Sequence, residues 1–195
     1  MTPIFRTSQP GLVVADPSRP HVILVGLPGA GKSTVGRAVA ESLNRAFLDL
    51  DDEIERREGR TVTQIFAEMG EQYFRQKERH LTEELREVGH MIVAPGGGWV
   101  GNAEVVALVR PPSRMVYLKA SPPVALQRLG ANRGKRPLLV RPDPLAEMKR
   151  LLTERKGAYE EADHVVDTER KSLQKVIDEV RQLALTAVFE LPNRS

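Results

Sequence analysis

Apolar positions along this chain fall into short β-branched runs that alternate with helical stripes. His21-Val22-Ile23-Leu24-Val25 reads as a buried strand. From Thr34 onward, Val35, Ala38, Val39 and Leu43 recur on one helical face. Ala46 to Leu50 predicts a second strand, Met91 to Ala94 a third, Arg114 to Leu118 a fourth and His164 to Asp167 a last. Thr61-Val62-Thr63-Gln64 carries a capping-box pattern ahead of Ile65, Phe66 and Met69, and a longer helix follows through Glu84-Leu85. Ser121-Pro122 and Asp143-Pro144 each set a cap residue before a proline at the first helical position. Ser172 opens a final helix with Leu173, Val176, Ile177, Val180 and Leu183 on one face. Strands that alternate with helices predict an α/β fold: a three-layer, doubly wound parallel sheet of about five strands. Ligands in such folds bind beyond the carboxyl ends of the strands.

Composition narrows this picture. The 195 residues, 41% hydrophobic, suit a single domain with a full core. Residues 1–20 contain Pro3, Pro10, Pro17 and Pro20 and no periodicity, so we expect a flexible N-terminal extension there. The domain itself is expected over 21–187, with a tail at 188–195. There are no cysteines, which excludes disulfides, thiolate metal sites and a cysteine nucleophile. No apolar run reaches bilayer length, and no basic-then-apolar leader opens the chain, so no membrane association and a cytoplasmic location are expected. The net charge of +3 favours anionic ligands. It does not argue for nucleic acid, because no Lys/Arg block is interleaved with aromatics and only 5% of residues are aromatic.

Candidate chemistry begins at Gly26-Leu27-Pro28-Gly29-Ala30-Gly31-Lys32-Ser33-Thr34, which matches G-x-x-x-x-G-K-[ST] between a predicted strand and a predicted helix. Glycines there let backbone N–H groups turn inward around phosphate oxygens, and the helix N-terminus adds partial positive charge. Gly29 to Thr34 are the expected ATP-binding residues. Lys32 is expected to reach the β- and γ-phosphates and the Ser33 hydroxyl to ligate Mg²⁺. Asp49 and Asp51 close the second strand. One aspartate could hold Mg²⁺ through water, and the other could accept or orient a hydroxyl proton. An acid-rich helix start explains Asp52 well and Asp49 badly.

Three further features stand out. Arg75, Glu78 and Arg79 share a helix face, a spacing that surface salt bridges also use. Gly96-Gly97-Gly98 follows the third strand and would let a ligand approach the backbone closely. Gly130 to Arg141 carries four cationic side chains in twelve residues between two capped helices, which suits a mobile cover over an anionic ligand.

Together these residues resemble the shikimate kinase family. The match runs through Gly-x-Pro-Gly-Ala-Gly-Lys-Ser-Thr-x-Gly at 26–36, Phe-Leu-Asp-x-Asp at 47–51 and Ile-Phe-x-x-x-Gly-Glu-x-x-Phe-Arg-x-x-Glu at 65–78. It continues with Gly-Gly-Gly at 96–98, Arg-Pro-Leu-Leu at 136–139 and Arg-x-x-x-Tyr-x-x-Ala-Asp at 155–163. The resemblance spans about residues 20–185.

It implies phosphorylation of the 3-hydroxyl of shikimate by ATP, with one Mg²⁺ ion, in a monomer. Lys32, Asp51 and Arg136 are the implied catalytic residues. Ser33 and Asp49 are the implied metal pair, with Asp49 acting through water. Arg75 and Arg155 resemble the arginines that grip the shikimate carboxylate, and Glu78 the acid that orients Arg75. Gly97 and Gly98 resemble the backbone contacts to the ring. Arg136 resembles the lid arginine that reaches the transferring phosphoryl group, and Arg128 the arginine stacked on adenine. Leu50, Ala94-Pro95 and Trp99 depart from the usual pattern, and the Trp99 indole either packs in the core, the favoured reading, or lines the acceptor pocket. Two other functions compete: a gluconate-type kinase, disfavoured by the two arginines with Asp51, and a non-catalytic sensor, disfavoured by retention of Lys32, Asp49, Asp51 and Arg136. A GTPase switch lacks its Asn-Lys-x-Asp motif.

Overall fold

The computed structural model describes residues 20–130, 139 and 142–186. Residues 1–19 of the N-terminal extension, the C-terminal tail, Arg136 and most of the Gly130–Arg141 segment lie outside the described residues.

Five parallel strands form one sheet in the order β2-β3-β1-β4-β5. They are β1 (Val22–Val25), β2 (Phe47–Asp49), β3 (Ile92–Ala94), β4 (Arg114–Lys119) and β5 (His164–Asp167). Helices flank the sheet: α1 (Lys32–Ser42), α2 (Leu50–Glu58), α3 (Val62–Glu68), α4 (Gly70–Glu84), α5 (Ala103–Ala107), α6 (Pro122–Leu129), α7 (Pro144–Glu160) and α8 (Leu173–Thr186). β1 is central and buried at every position, as a continuous apolar run in a parallel sheet should be. Its carboxyl end, and those of β2 and β3, open on the same side, so the loops at 26–31, 49–51 and 95–98 converge.

Most predicted caps form. Thr61 and Gln64 make the reciprocal capping box, Asp143 accepts from Ala146 N at 2.9 Å, and Ser172 accepts from Lys175 N at 3.3 Å. Ser121 stands at its N-cap position without a side-chain cap; its backbone N–H donates instead to the Glu169 carboxylate.

Two boundary differences bear on the site. Helix α1 begins at Lys32, two residues early. Leu50 belongs to α2 and not to the strand, because the Asp49 side chain accepts from Asp51 N and Asp52 N and turns the chain into a helix there. At Gly36 a Cβ would strike the Phe47 ring and lie 3.2 Å from Leu24 Cδ1, so glycine lets α1 sit directly on the sheet. Trp99 is 2% exposed, which bears out the core reading. Its indole donates to Thr82 Oγ1 at 3.0 Å, and Thr82 donates to the Glu78 carbonyl at 2.7 Å, tying the glycine loop to α4.

Candidate active site

The phosphate end is built by backbone. Gly26, Gly29 and Gly31 take φ of 146°, 85° and 98°, conformations that a side chain would strain. Space excludes side chains as well: a Cβ on Gly26 would lie 2.5 Å from the Leu118 carbonyl oxygen, and one on Gly29 would run into the Ala125 backbone of α6. No side chain caps α1, so the N-terminus that follows the loop is left for an anion. Lys32 Nζ donates to the Gly26 and Leu27 carbonyls at 2.9 and 3.2 Å, which folds the ammonium over its own loop.

Beside it, Ser33 Oγ donates to Asp49 Oδ2 at 2.6 Å. Burial raises the Asp49 carboxyl above its usual range, and the nearby Asp51 and Asp52 charges push the same way; the Ser33 hydrogen bond acts against them. A cation would relieve this crowding of negative charge. The donors on offer are a hydroxyl and a carboxylate, and among the described residues no cluster of three or more His, Cys, Asp or Glu side chains could hold a metal. That set fits a hard ion such as Mg²⁺, which keeps waters and leans on substrate phosphates, better than an ion that needs an all-protein cage.

At the other wall, three helices aim charged groups at the Gly96–Gly98 loop. Each glycine faces at least one of them. A Cβ on Gly96 would lie 2.5 Å from Asp51 Oδ1 and 3.0 Å from Glu78 Oε1; one on Gly97 would lie 2.9 Å from Arg155 Nη1; one on Gly98 would fall within the Arg75 guanidinium's own contact distance. Asp51 comes from α2, Arg75 and Glu78 from α4, and Arg155 from α7. Arg155 and Asp51 are both buried. Arg75 Nη1 donates to Glu78 Oε2 at 2.5 Å, while Glu78 Oε1 is buried with no hydrogen bond. Burial pushes the Glu78 carboxyl up to about 7; Arg75 and Arg155 oppose the rise and Asp51 adds to it. Arg79, placed by spacing on the same face, turns outward to Glu83 and Glu104 and takes no part.

A cleft of about 600 Å³ joins these ends. Gly29 to Thr34, Asp49, Asp51, Gly96, Gly97 and Arg128 line it. Arg128 is held on the wall by Thr168 Oγ1 at 2.9 Å and the Thr168 carbonyl at 2.6 Å. Sequence reasoning passed over Thr168, Lys171 and Leu173 as part of the wall. Thr168 had a signal, since it directly follows the carboxyl end of β5. Lys171 and Leu173 had none beyond the helix start at Ser172.

A family model described as "Shikimate kinase" matches residues 28–184. The chain belongs to the shikimate kinase family. A shikimate kinase of Pelotomaculum thermopropionicum is 40% identical over 160 residues, covering 82% of this chain and 92% of that protein. One from Desulforudis audaxviator is 45% identical over 157 residues, covering 80% and 82%. The structure of an Acinetobacter baumannii shikimate kinase, solved in complex with shikimate, superposes with a TM-score of 0.80 at 36% identity, covering 86% of this chain and 94% of that one. A gluconokinase from Sinorhizobium meliloti shares the fold at 18% identity and a TM-score of 0.58. The five-stranded parallel sheet with its P-loop is therefore the shikimate kinase arrangement. No helix among the described residues is long and apolar enough to cross a membrane.

Proposed function

We propose that this site transfers the γ-phosphoryl group of ATP to the 3-hydroxyl of shikimate, giving shikimate 3-phosphate and ADP. Family membership carries the coarser statement: ATP-dependent phosphorylation of shikimate, a step of aromatic amino-acid biosynthesis. The observation that carries the residue roles is the convergence of Asp51, Arg75 and Arg155 on one glycine floor, of which Asp51, Gly96 and Gly97 line the same cleft as the P-loop and Arg128.

In this reading ATP lies over Gly29 to Thr34 with its base toward Arg128. Lys32 leaves its loop carbonyls for the β- and γ-phosphates. Ser33 would hold Mg²⁺, with Asp49 contributing through water, and the ion would supply positive charge against the phosphate oxygens. Shikimate lies across Gly97 and Gly98. Arg75 and Arg155 take its carboxylate in fork geometry, and Glu78 fixes the plane of Arg75. Asp51 orients the attacking hydroxyl and assists its deprotonation. Arg136, outside the described residues, is assigned to the phosphoryl group during transfer, with the surrounding segment as a lid. Positioning and cationic stabilisation supply the rate. The enzyme is further proposed to act as a cytoplasmic monomer on these two small molecules, with neither nucleic acid nor membrane as partner.

Coupled ADP release, measured with ATP·Mg²⁺ and shikimate, quinate or gluconate in turn, tests the acceptor. Turnover is expected with shikimate well above the other two. Preference for gluconate would overturn the assignment of Arg75 and Arg155.

A further inference from the structure

Arg75 has a second carboxylate partner. Its Nη2 and Nε converge on Glu71 Oε1 at 2.8 and 3.2 Å, while Nη1 holds Glu78. The Nε–Nη2 edge is one of the forks on which a guanidinium takes a carboxylate in two parallel hydrogen bonds. In this structure a carboxylate of the protein already stands there.

The two acids have different settings. The Glu78 side chain is 3% exposed, and withdrawing it would strand a carboxylate in the interior. The Glu71 side chain is 53% exposed, in the first turn of α4, and can turn to water at little cost. One partner of Arg75 is therefore fixed and the other replaceable.

We propose that Glu71 is a stand-in carboxylate that occupies the Arg75 fork until the carboxylate of the acceptor displaces it, so that Glu71 sets acceptor affinity and disfavours acceptors without a carboxylate. The proposal rests on the reading of Arg75 as an acceptor clamp. Displacement exchanges one carboxylate for another on the same N–H pair, and no covalent bond changes. Arg75 is never left as an unpaired cation in a partly buried place. A neutral polyol offers nothing to replace Glu71 and leaves the fork closed. An acid acceptor opens it, at the cost of breaking the Glu71 pair.

An ordinary i, i+4 helix pair would affect stability and leave substrate affinity alone, so affinity is the readout. Glu71→Gln and Glu71→Ala are made in the full chain, with folding followed by thermal midpoint and binding measured well below it. Both are expected to bind shikimate roughly two- to fivefold more tightly by calorimetry, with KM for shikimate lowered and KM for ATP unmoved. Unchanged or weaker shikimate binding in both variants overturns the proposal. Arg75→Ala is run beside them. If it weakens shikimate binding while the Glu71 variants gain nothing, the stand-in role alone fails. If Arg75→Ala leaves shikimate binding intact, the clamp reading fails and takes the stand-in role with it.

Discussion

Ser33 and Asp49 meet across 2.6 Å, and Asp49 makes that contact with one oxygen while the other caps α2. One carboxylate thus serves the phosphate site and the start of the helix that presents Asp51. The two duties separate under mutation. Asp49→Ala should lose about 1 kcal/mol of stability, the usual worth of an N-cap, together with activity. Asp49→Asn retains an oxygen at the cap and should unfold in urea within about 1 kcal/mol of wild type. It should still need roughly 10- to 100-fold more Mg²⁺ for half-maximal turnover, the scale of losing a group that orients bound metal. Equal Mg²⁺ dependence in Asp49→Asn and wild type would leave Asp49 as a cap alone.

Lys32 bonds two carbonyls of its own loop at 2.9 and 3.2 Å, so its ammonium is held where phosphate oxygens would arrive. Lys32→Met should lower turnover on the order of a hundredfold or more, as loss of a charge aimed at the transition state does. The fold should persist by circular dichroism. Wild-type turnover in the folded variant would remove the P-loop assignment.

The glycine floor gives a steric test. Gly96→Ala drives a methyl against Asp51 and Glu78, an overpacking that costs about 1–3 kcal/mol. KM for shikimate should rise about tenfold or more, with ATP binding little changed. Gly101→Ala is the control: nothing lies within 4 Å of a Cβ there, and steady-state kinetics should match wild type.

Glu78 gives a pH test. Its carboxyl titrates near 4.5 in a model peptide and at about 7 in the fold, because burial outweighs Arg75. The native state therefore binds this proton more tightly than the unfolded chain, and the contribution to stability falls as pH rises from about 4.5 to about 7. Glu78→Gln keeps the shape and cannot titrate. Across that window wild type should lose roughly 1–3 kcal/mol relative to the variant in urea unfolding. A flat difference would mean that Arg75 keeps the carboxylate ionised throughout.

The sheet was legible because β1 is buried on both faces and must read as a continuous apolar run. The P-loop was legible because the glycines, Lys32 and Ser33 act through local backbone geometry. Elements held by a single cap were harder. Helix α5 is five residues long and starts where Asn102 accepts from Val105 N, too short to show a periodic stripe. The turn at Leu50 depends on which way the Asp49 side chain points, and a strand pattern that ends in Asp does not say. Arg75, Glu78 and Arg79 look alike on a helical wheel. Only the packing of α4 beside the Gly96–Gly98 loop buries Glu78 and turns Arg79 to solvent. Asp163, at the end of the Arg155 motif, serves structure, accepting from Met115 N at 2.7 Å and Arg110 at 3.0 Å.

The triple glycine also bears on any attempt to retrain this enzyme toward a bulkier acceptor. Pockets are usually widened by trimming side chains, and at Gly96, Gly97 and Gly98 there is nothing to trim. Room could come only from the rim, where Asp51, Arg75 and Arg155 stand, and each atom removed there is one assigned to holding or activating the acceptor. Enlarging this pocket and keeping its chemistry are therefore opposed from the first substitution, and variants that accept larger acids should arise through shifts of α4 or α7 as whole elements before they arise on the floor.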